Sequence, residues 1–278
     1  MTASEVKLIA LDLDGTTLDS KGKVSAETKE ALAKATKEGV HVVVATGRPL
    51  SAITEEVLAL EGIEYMITSN GAAITRLSDM EVVFKANLSP EAVEAAKNIL
   101  KDTEYLVEVF VHGKAYIDKK MYETVENYGL LEHQVQYIKR TRKPTENIMD
   151  FLMEHKYDVE NINIDFADQE EKMRMRQRME ALGVATVTSS LSYNVELGGL
   201  ETSKANAIAH LCKILGITAE EVMACGDSPN DIAMLEFAGI SVAMGNGRDE
   251  VKAIAKYITG SNDEHGVAQA VYRFVVSQ

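Results

Sequence analysis

The chain has 278 residues, of which 46% are hydrophobic and 26% charged, a globular composition that excludes a mostly disordered chain. Asp and Glu number 43 against 29 Lys and Arg, and the formal net charge is -14 at pH 7. Because such a surface repels phosphate backbones and anionic lipids, we expect no nucleic-acid partner and no membrane partner. Two cysteines form no disulfide framework, and no apolar run approaches the ~20 residues of a membrane helix. We therefore expect a cytoplasmic location, while the oligomeric state stays open.

Apolar strands alternate with amphipathic helices in the first third of the chain. The sequence predicts strands at residues 6–11, 40–45 and 65–68, separated by helices at 25–39 and 51–60. Repeated strand and helix units are typical of a parallel sheet with helices on both faces, as in Rossmann-like α/β proteins. Such sheets bind ligands beyond the carboxyl ends of their strands, and a polar cluster follows each predicted strand here.

The middle of the chain has a different pattern. Hairpins are predicted within 73–85 and 106–118, and helices near 145–155 and 169–182 flank a strand at 161–166. After Leu191 the first pattern returns, with a helix at 203–215 and strands at 222–225 and 240–243. The sequence thus predicts an α/β core formed by residues 1–83 and 191–278, interrupted by an α+β cap domain at 84–190.

The sharpest cluster of chemistry-bearing residues is the segment 12–16, with the sequence DLDGT, at the end of the first predicted strand. Asp12 and Asp14 can both reach the mouth of a sheet if the strand breaks there, and Gly15 permits that break. Carboxylate oxygens at a strand end suit Mg²⁺. The same five residues also fit a simple turn in which Asp and Gly end a strand.

Three groups of residues later in the chain favour a metal and phosphate site over a simple turn. The segment 227–231 (DSPND) follows another predicted strand, so its carboxylates would converge on the same sheet edge, although it also fits a helix N-cap. Thr46 and Gly47 offer a hydroxyl and backbone N–H groups that suit a phosphate oxygen, or they form a tight turn. Lys204 begins a helix, where the helix dipole disfavours a cation, although an exposed lysine there is usually only solvated.

Together these segments resemble the haloacid dehalogenase superfamily of phosphatases, and within it the Cof-type sugar-phosphatase branch with a type IIB cap. The matching motifs are residues 12–16, Thr46-Gly47-Arg48, Lys204 and residues 226–231, and the resemblance covers nearly the whole chain. Their order along the chain, at successive strand ends, is far more specific than any one motif. The resemblance implies a Rossmann-like core of this superfamily with an inserted α+β cap of type C2B.

The resemblance also implies a chemical role for each carboxylate. Asp12 would be the nucleophile that forms an aspartyl-phosphate, and Asp14 would be the general acid and then the base for the hydrolytic water. The implied Mg²⁺ ligands are Asp12, Asp14 through its backbone carbonyl, and Asp227. Asp231 would orient Lys204 or the metal-bound waters.

The remaining implied roles concern the phosphate group and the substrate. The expected phosphate-binding residues are Leu13, Thr46, Gly47, Lys204 and Asn230. Arg48 would contact substrate or cap, with a structural ion pair an equal alternative. The basic run at residues 139–143 is interpreted as a solvated surface.

The expected function is a Mg²⁺-dependent phosphatase of small phosphorylated metabolites, such as sugar phosphates. The nearest enzymatic alternative is a phosphomutase, which also forms an aspartyl-phosphate but returns the phosphoryl group to its substrate. A non-enzymatic phospho-switch built like a response-regulator receiver would also pair carboxylates with Thr and Lys around Mg²⁺. Receivers have a single shorter domain, however, and a second acid such as Asp14 would serve no purpose in them. The sequence does not identify the physiological substrate.

Overall fold

The computed structural model describes residues 6–128 and 130–276. These residues form two units, each with its own sheet and apolar core. The core unit consists of the described residues of Met1–Gly47, Ile53–Phe84 and Ser203–Gln278, and the inserted unit consists of Arg48–Ala52 and Lys85–Thr202. Within the described residues, no helix has the length and apolar character needed to cross a membrane.

The strands and helices are numbered in chain order. The strands are β1 (Leu8–Leu11), β2 (His41–Ala45), β3 (Ile63–Thr68), β4 (Ala73–Arg76), β5 (Glu81–Lys85), β6 (Leu106–Val111), β7 (Lys114–Asp118), β8 (Arg142–Thr145), β9 (Val159–Asp165), β10 (Thr186–Thr188), β11 (Asn194–Gly198), β12 (Val222–Gly226), β13 (Ile240–Ala243) and β14 (Tyr257–Ile258). The α-helices are α1 (Ala26–Lys37), α2 (Glu55–Leu58), α3 (Pro90–Leu100), α4 (Lys119–Glu123), α5 (Glu132–Thr141), α6 (Ile148–Glu154), α7 (Gln169–Glu180), α8 (Lys204–Leu215), α9 (Ile232–Phe237), α10 (Asp249–Ile254) and α11 (Gly266–Phe274).

The core unit has a sheet with the strand order β14-β13-β12-β1-β2-β3-β4-β5. The strands from β14 to β3 are parallel, and β4 runs antiparallel to β3. All four residues of β1 are buried, as expected for a central parallel strand covered on both faces. The carboxyl ends of β12, β1, β2 and β3 therefore lie along one sheet edge, and the predicted α/β class with a Rossmann-like core is confirmed.

The inserted unit has a second sheet, with the strand order β10-β11-β9-β6-β7-β8. Its pairings are antiparallel except for β7 with β8. Side chains alternate between the two faces of a strand. On β9, Ile162 and Ile164 belong to an apolar core that includes residues of α3, α6 and α7. Asn161, Asn163 and Asp165 therefore lie on the opposite face of the sheet.

Some predicted boundaries differ from the structure. The inserted unit ends at Thr202 and not at Ser190, because β11 pairs with β9 in the second sheet. The helix predicted at 51–60 is reduced to a 3₁₀ turn at Leu50–Ala52 and the four residues of α2. The sequence also gave no signal for α5 and β8, which follow one another directly.

Candidate active site

The segment 12–16 breaks away from the sheet directly after β1. The Asp12 N–H donates to the Cys225 carbonyl at 3.0 Å, which continues the pairing of β1 with β12. The Thr17 hydroxyl donates to the Asp12 carbonyl at 2.6 Å. Gly15 has a φ of 78°, and a Cβ at this position would lie 2.7 Å from Asp227 Oδ2. Glycine thus provides both the turn and the close approach of Asp227.

Three carboxylates and one ammonium group meet at this sheet edge. Asp12, Asp227 and Asp231 each place a carboxylate oxygen within 4.8 Å of the other two. Lys204 is the first residue of α8 and only 1% exposed, and its Nζ donates to Asp12 Oδ1 at 2.5 Å and to Asp231 Oδ1 at 2.6 Å. Asp231 Oδ2 accepts the backbone N–H groups of Asp227 and Ser228, both at 2.9 Å. Asp231 therefore fixes both Lys204 and the loop that carries Asp227.

This cluster contains more negative than positive charge. Burial raises the pKa of Asp12 well above its usual range, and the neighbouring Asp231 carboxylate raises it further. The pKa of Asp227 is also raised, by burial first and by Asp231 second. Burial alone would lower the pKa of Lys204, but the carboxylates of Asp12 and Asp231 outweigh it and raise that pKa. A charged Lys204 thus supplies one positive charge for three carboxylates.

This excess of negative charge fits a divalent cation. Carboxylate oxygens are the ligands that such hard cations prefer. Asp231 is fully buried and accepts three hydrogen bonds, from Lys204 and from two backbone N–H groups, so it is held as a structural acceptor. Asp12 and the half-buried Asp227 accept fewer hydrogen bonds from the described residues and are the carboxylates better suited to hold a metal. Asp227 is oriented by the Thr16 hydroxyl on Oδ1 and the Ser228 hydroxyl on Oδ2, each at 2.9 Å.

The second carboxylate of the first motif lies elsewhere. The Asp14 side chain is exposed, and its carboxylate is not part of the cluster. Leu13, between the two aspartates, is fully buried, and its carbonyl accepts the N–H groups of Thr17 and Leu18. Its contribution to a site is therefore limited to its backbone.

A second group of polar residues gathers around Asn70. The Thr46 N–H donates to the Ile67 carbonyl at 2.9 Å, and the Asn70 N–H donates to the Thr46 carbonyl at 3.0 Å. Asn70 Oδ1 accepts from Asn230 Nδ2 at 3.0 Å and would lie 3.1 Å from a Cβ placed at Gly47. Thr46, Gly47 and Asn230 thus lie together around Asn70. Asn230 Oδ1 is buried and accepts no hydrogen bond from the described residues, while its Nδ2 is the atom that can donate to a phosphate oxygen.

Four polar residues were not predicted as site residues: Thr16, Asn70, Ser228 and Asn246. Asn246 Nδ2 donates to the Gly15 carbonyl at 2.8 Å and so supports the turn of the first motif. Asn70 and Asn246 had a signal in the sequence, because they follow the third predicted strand and the strand at 240–243. Asp12 and Asp227 were selected because they follow predicted strands, and the same criterion would have selected Asn70 and Asn246.

Arg48 lies in the inserted unit, although it directly follows Gly47 in the chain. Its guanidinium donates to the Ala52 carbonyl at 3.2 Å and lies 5.3 Å from the centre of the Tyr137 ring. The structure therefore gives Arg48 a cation–π contact.

Comparison with known proteins agrees with this geometry. The model of the haloacid dehalogenase-like hydrolase family matches residues 9–271, so the chain belongs to that family. It is 33% identical over 273 residues to the 5-amino-6-(5-phospho-D-ribitylamino)uracil phosphatase YcsE of Bacillus subtilis, covering 98% of this chain and 97% of the relative. It is 32% identical over 278 residues to the pyridoxal phosphate phosphatase YbhA of Escherichia coli, covering 97% and 99%.

A solved structure agrees with the predicted fold. The subclass IIB sugar phosphatase BT4131 matches with a TM-score of 0.80 and 24% identity, over 97% of this chain and 99% of that one, a likeness that concerns the fold. The predicted family, and phosphatase as the class of enzyme, are confirmed by the family model and the two relatives.

Proposed function

We propose that this phosphatase uses Mg²⁺ at the Asp12–Asp227–Asp231 cluster, with Asp12 as nucleophile, to hydrolyse small phosphorylated metabolites of the sugar phosphate type. One observation carries the proposal. Lys204, buried at the start of a helix, bridges Asp12 and Asp231 in a cluster with more carboxylates than cations, at the carboxyl edge of a parallel sheet. A phosphate group and a divalent cation are complementary to that charge pattern.

The reaction has two displacements at phosphorus. In the first, an Asp12 carboxylate oxygen forms a bond to phosphorus, the bond from phosphorus to the leaving oxygen breaks, and Asp14 gives that oxygen a proton. In the second, water attacks the phosphorus of the aspartyl-phosphate, Asp14 takes a proton from the water, and the bond to Asp12 breaks. Inorganic phosphate leaves, and both aspartates return to their starting states. The exposure of Asp14 suits a group that exchanges protons with substrate and water.

The other residues bind and orient the phosphate group. Bound by Asp12, Asp227 and the Asp14 carbonyl, Mg²⁺ would supply positive charge that lets a carboxylate approach a phosphate. The phosphate oxygens would be held by backbone groups of Leu13 and Gly47 and by the side chains of Thr46, Lys204 and Asn230. Removing one such donor typically lowers the rate by about 10²–10³. Asp231 acts through Lys204, because it holds the ammonium group in place.

The substrate class is inferred from the names of two relatives. YcsE and YbhA are named for two different phosphorylated small molecules, one with a phosphoribityl group and one with a pyridoxal group. Sugar phosphates are proposed because the first of these carries its phosphate on a hydroxylated chain. The cytoplasmic location stays a prediction from the sequence.

Phosphate release from a panel of sugar phosphates, with and without Mg²⁺, tests the proposal. Asp12→Asn should lower the rate by ~10⁴ or more, since the nucleophile is lost, and Asp14→Asn should lower it by about 10²–10⁴. Asp249→Asn is the matched control, because Asp249 is exposed at the start of α10 and the chemical change is the same. Its rate should stay within about twofold of the wild type.

Other outcomes discriminate between the alternatives. Wild-type activity in Asp12→Asn would show that Asp12 is not the nucleophile. Isomerisation of a sugar phosphate without net phosphate release would indicate a phosphomutase. Phosphorylation of Asp12 without turnover of any ester would indicate a phospho-switch.

A further inference from the structure

The turn that carries Asp14 is closed by backbone contacts. The Leu13 carbonyl accepts the Leu18 N–H at 2.9 Å, and Asp14 itself forms a β-bridge with Leu18. Residues 13–18 are therefore a closed loop, which we call the Asp14 loop. The loop is attached to the sheet through Asp12, whose N–H continues the pairing of β1 with β12. The position of the Asp14 carboxyl depends on how the rest of the loop is held.

Two asparagines from distant parts of the chain hold the Asp14 loop. Asn246 Nδ2 donates to the Gly15 carbonyl at 2.8 Å. Asn262 Nδ2 donates to the Leu18 carbonyl at 2.9 Å. The two asparagines are also joined to each other, because the Asn262 N–H donates to Asn246 Oδ1 at 2.9 Å. We call this pair the asparagine clasp. It fixes the loop at the residue after Asp14 and at the residue that forms the bridge with it.

The two segments that carry the asparagine clasp pack against each other through their backbones. The Gly245 N–H donates to the Gly260 carbonyl at 3.0 Å. A Cβ at Gly245 would lie 2.8 Å from the Ser261 backbone nitrogen, so glycine is what permits this close approach. The residue before Asn246 is thus held against the residue before Asn262. The spacing of the two asparagines is therefore set by backbone contacts that do not involve the Asp14 loop.

The hydrogen bonds of the asparagine clasp are better suited to positioning than to stability. Asn246 is exposed and Asn262 is half-buried, so water can replace a hydrogen bond that either side chain loses. The placement of a reacting group matters far more, because a shift of about 1 Å can lower a rate by about 10²-fold. Loss of the clasp should therefore change the rate of a step that uses Asp14 more than it changes the stability of the fold.

We propose that Asn246, together with Asn262, is a positioning residue that places the Asp14 carboxyl for proton transfer to the leaving oxygen; this rests on the proposed function. Both asparagines act through the backbone of the Asp14 loop. Without the clasp, Asp14 is correctly placed for a smaller fraction of the time, and protonation of the leaving oxygen slows. Attack by Asp12 is less affected, because Asp12 keeps its place at the end of β1 and its hydrogen bond from Lys204.

The test compares two esters in wild type and in Asn246→Ala at saturating Mg²⁺. Phenyl phosphate and p-nitrophenyl phosphate differ by one nitro group, but only the more basic phenol oxygen depends strongly on a proton from Asp14. For both esters, kcat/KM reports the steps up to departure of the leaving group. The ratio of kcat/KM for phenyl phosphate to that for p-nitrophenyl phosphate should fall about 3- to 10-fold in Asn246→Ala. Asn262→Ala, which keeps Asn246, should lower the ratio in the same direction.

Two further variants set the scale of the effect. Asp14→Asn removes the proton donor itself and should lower the ratio by about 10- to 100-fold. Asn98→Ala is the matched control, since Asn98 is exposed on α3 and the chemical change is the same, and it should leave the ratio unchanged. A purely structural role of Asn246 would instead lower the melting temperature and slow both esters equally, which leaves the ratio at its wild-type value.

An unchanged ratio in Asn246→Ala and Asn262→Ala, beside the expected fall in Asp14→Asn, would overturn the inference and leave the proposed function intact. If Asn246→Ala did not fold, the ratio in Asn262→Ala would decide alone. Equal slowing of both esters in Asp14→Asn would refute the proposed role of Asp14, and the inference with it. If wild type released phosphate from no ester at all, the proposed function itself would fail.

Discussion

Each unit buries an ion pair, but the two pairs differ in the number of carboxylates that share the cation. In the inserted unit, the Glu108 carboxylate meets one guanidinium, that of Arg142, and an amide of Asn163. In the core unit, Lys204 bridges Asp12 and Asp231. Asp227 adds a third carboxylate to the core cluster. The first arrangement is complete within the protein, whereas the second leaves negative charge for an external cation to neutralise.

A complete ion pair and a cluster of like charges have different consequences for the folded protein. A paired and hydrogen-bonded ion pair can stay buried as part of the scaffold. A cluster of like charges raises the free energy of the folded protein, and it persists only where the fold holds it in place. The pKa values of Asp12 and Asp227 are raised because burial and the neighbouring carboxylate disfavour their charged forms.

The largest effect should come from removing the cation of each cluster. Arg142→Met leaves the buried Glu108 carboxylate unpaired and should lower the free energy of unfolding by about 3–5 kcal/mol. Lys204→Met leaves Asp12 and Asp231 without their ammonium group and should lower kcat by about 10²–10³. Chemical denaturation and phosphate release measure the two effects.

Added Mg²⁺ should affect the stability of the two variants differently, because only the core cluster is expected to bind it. Mg²⁺ should recover part of the stability of Lys204→Met and none of that of Arg142→Met. The double variant Glu108→Gln with Arg142→Met removes the uncompensated charge and should recover much of the loss. Equal recovery of both single variants by Mg²⁺ would contradict the distinction between the two clusters.

The divalent metal is expected to have a smaller effect on the free energy of unfolding of the wild-type protein. At a Mg²⁺ concentration about 100 times its Kd, binding to the folded state alone would add about 2.7 kcal/mol to the free energy of unfolding. Asp227→Asn should abolish most of that gain, while Asp249→Asn, with the same change on the surface, should retain it. Melting temperatures with Mg²⁺ and with a chelator measure the difference, and a gain that survives in Asp227→Asn would place the metal elsewhere.

The sequence was sufficient to predict the features that local patterns encode. The buried run of β1 and the polar segment after it are contiguous, so the strand end and Asp12 could be recognised together. Strand ends in a parallel sheet share an edge, which brought Thr46 and Asp227 to the same place without any knowledge of distances. Lys204 follows no strand of this sheet, and its place in the site was expected from the family resemblance.

Features that depend on strand register could not be predicted. Arg142 belongs to a basic run that was interpreted as solvated, yet its side chain is only 8% exposed, because β8 pairs with β7 and brings it to Glu108. The strand β11 was assigned to the core because its long-range partner, β9, is not adjacent in sequence. Likewise, the sequence does not distinguish Asn161 from Asn163, two residues later. The Asn161 amide makes no hydrogen bond to the described residues, whereas Asn163 Nδ2 donates to Glu108.

A final expected effect concerns Asp165, an acid of the inserted unit with no ion-pair partner among the described residues. Asp165 accepts a hydrogen bond from Asn163 Nδ2 at 3.0 Å. Burial, and then the charge of Glu108, raise its pKa from 3.8 to about 8. Between these two values the folded protein keeps a proton that the unfolded chain has lost. The stability contribution of Asp165 should therefore fall as the pH rises from about 4 to about 8.

Asp165→Asn removes this titration and keeps an oxygen that can accept from Asn163. At about pH 9 the variant should be more stable than wild type, and the difference should shrink steadily towards about pH 4. Denaturant unfolding at several pH values measures it. Parallel stability curves for the two proteins would mean that Asp165 is already ionised at neutral pH. The inserted unit would then hold unbalanced negative charge as well, and charge balance would no longer distinguish it from the core cluster.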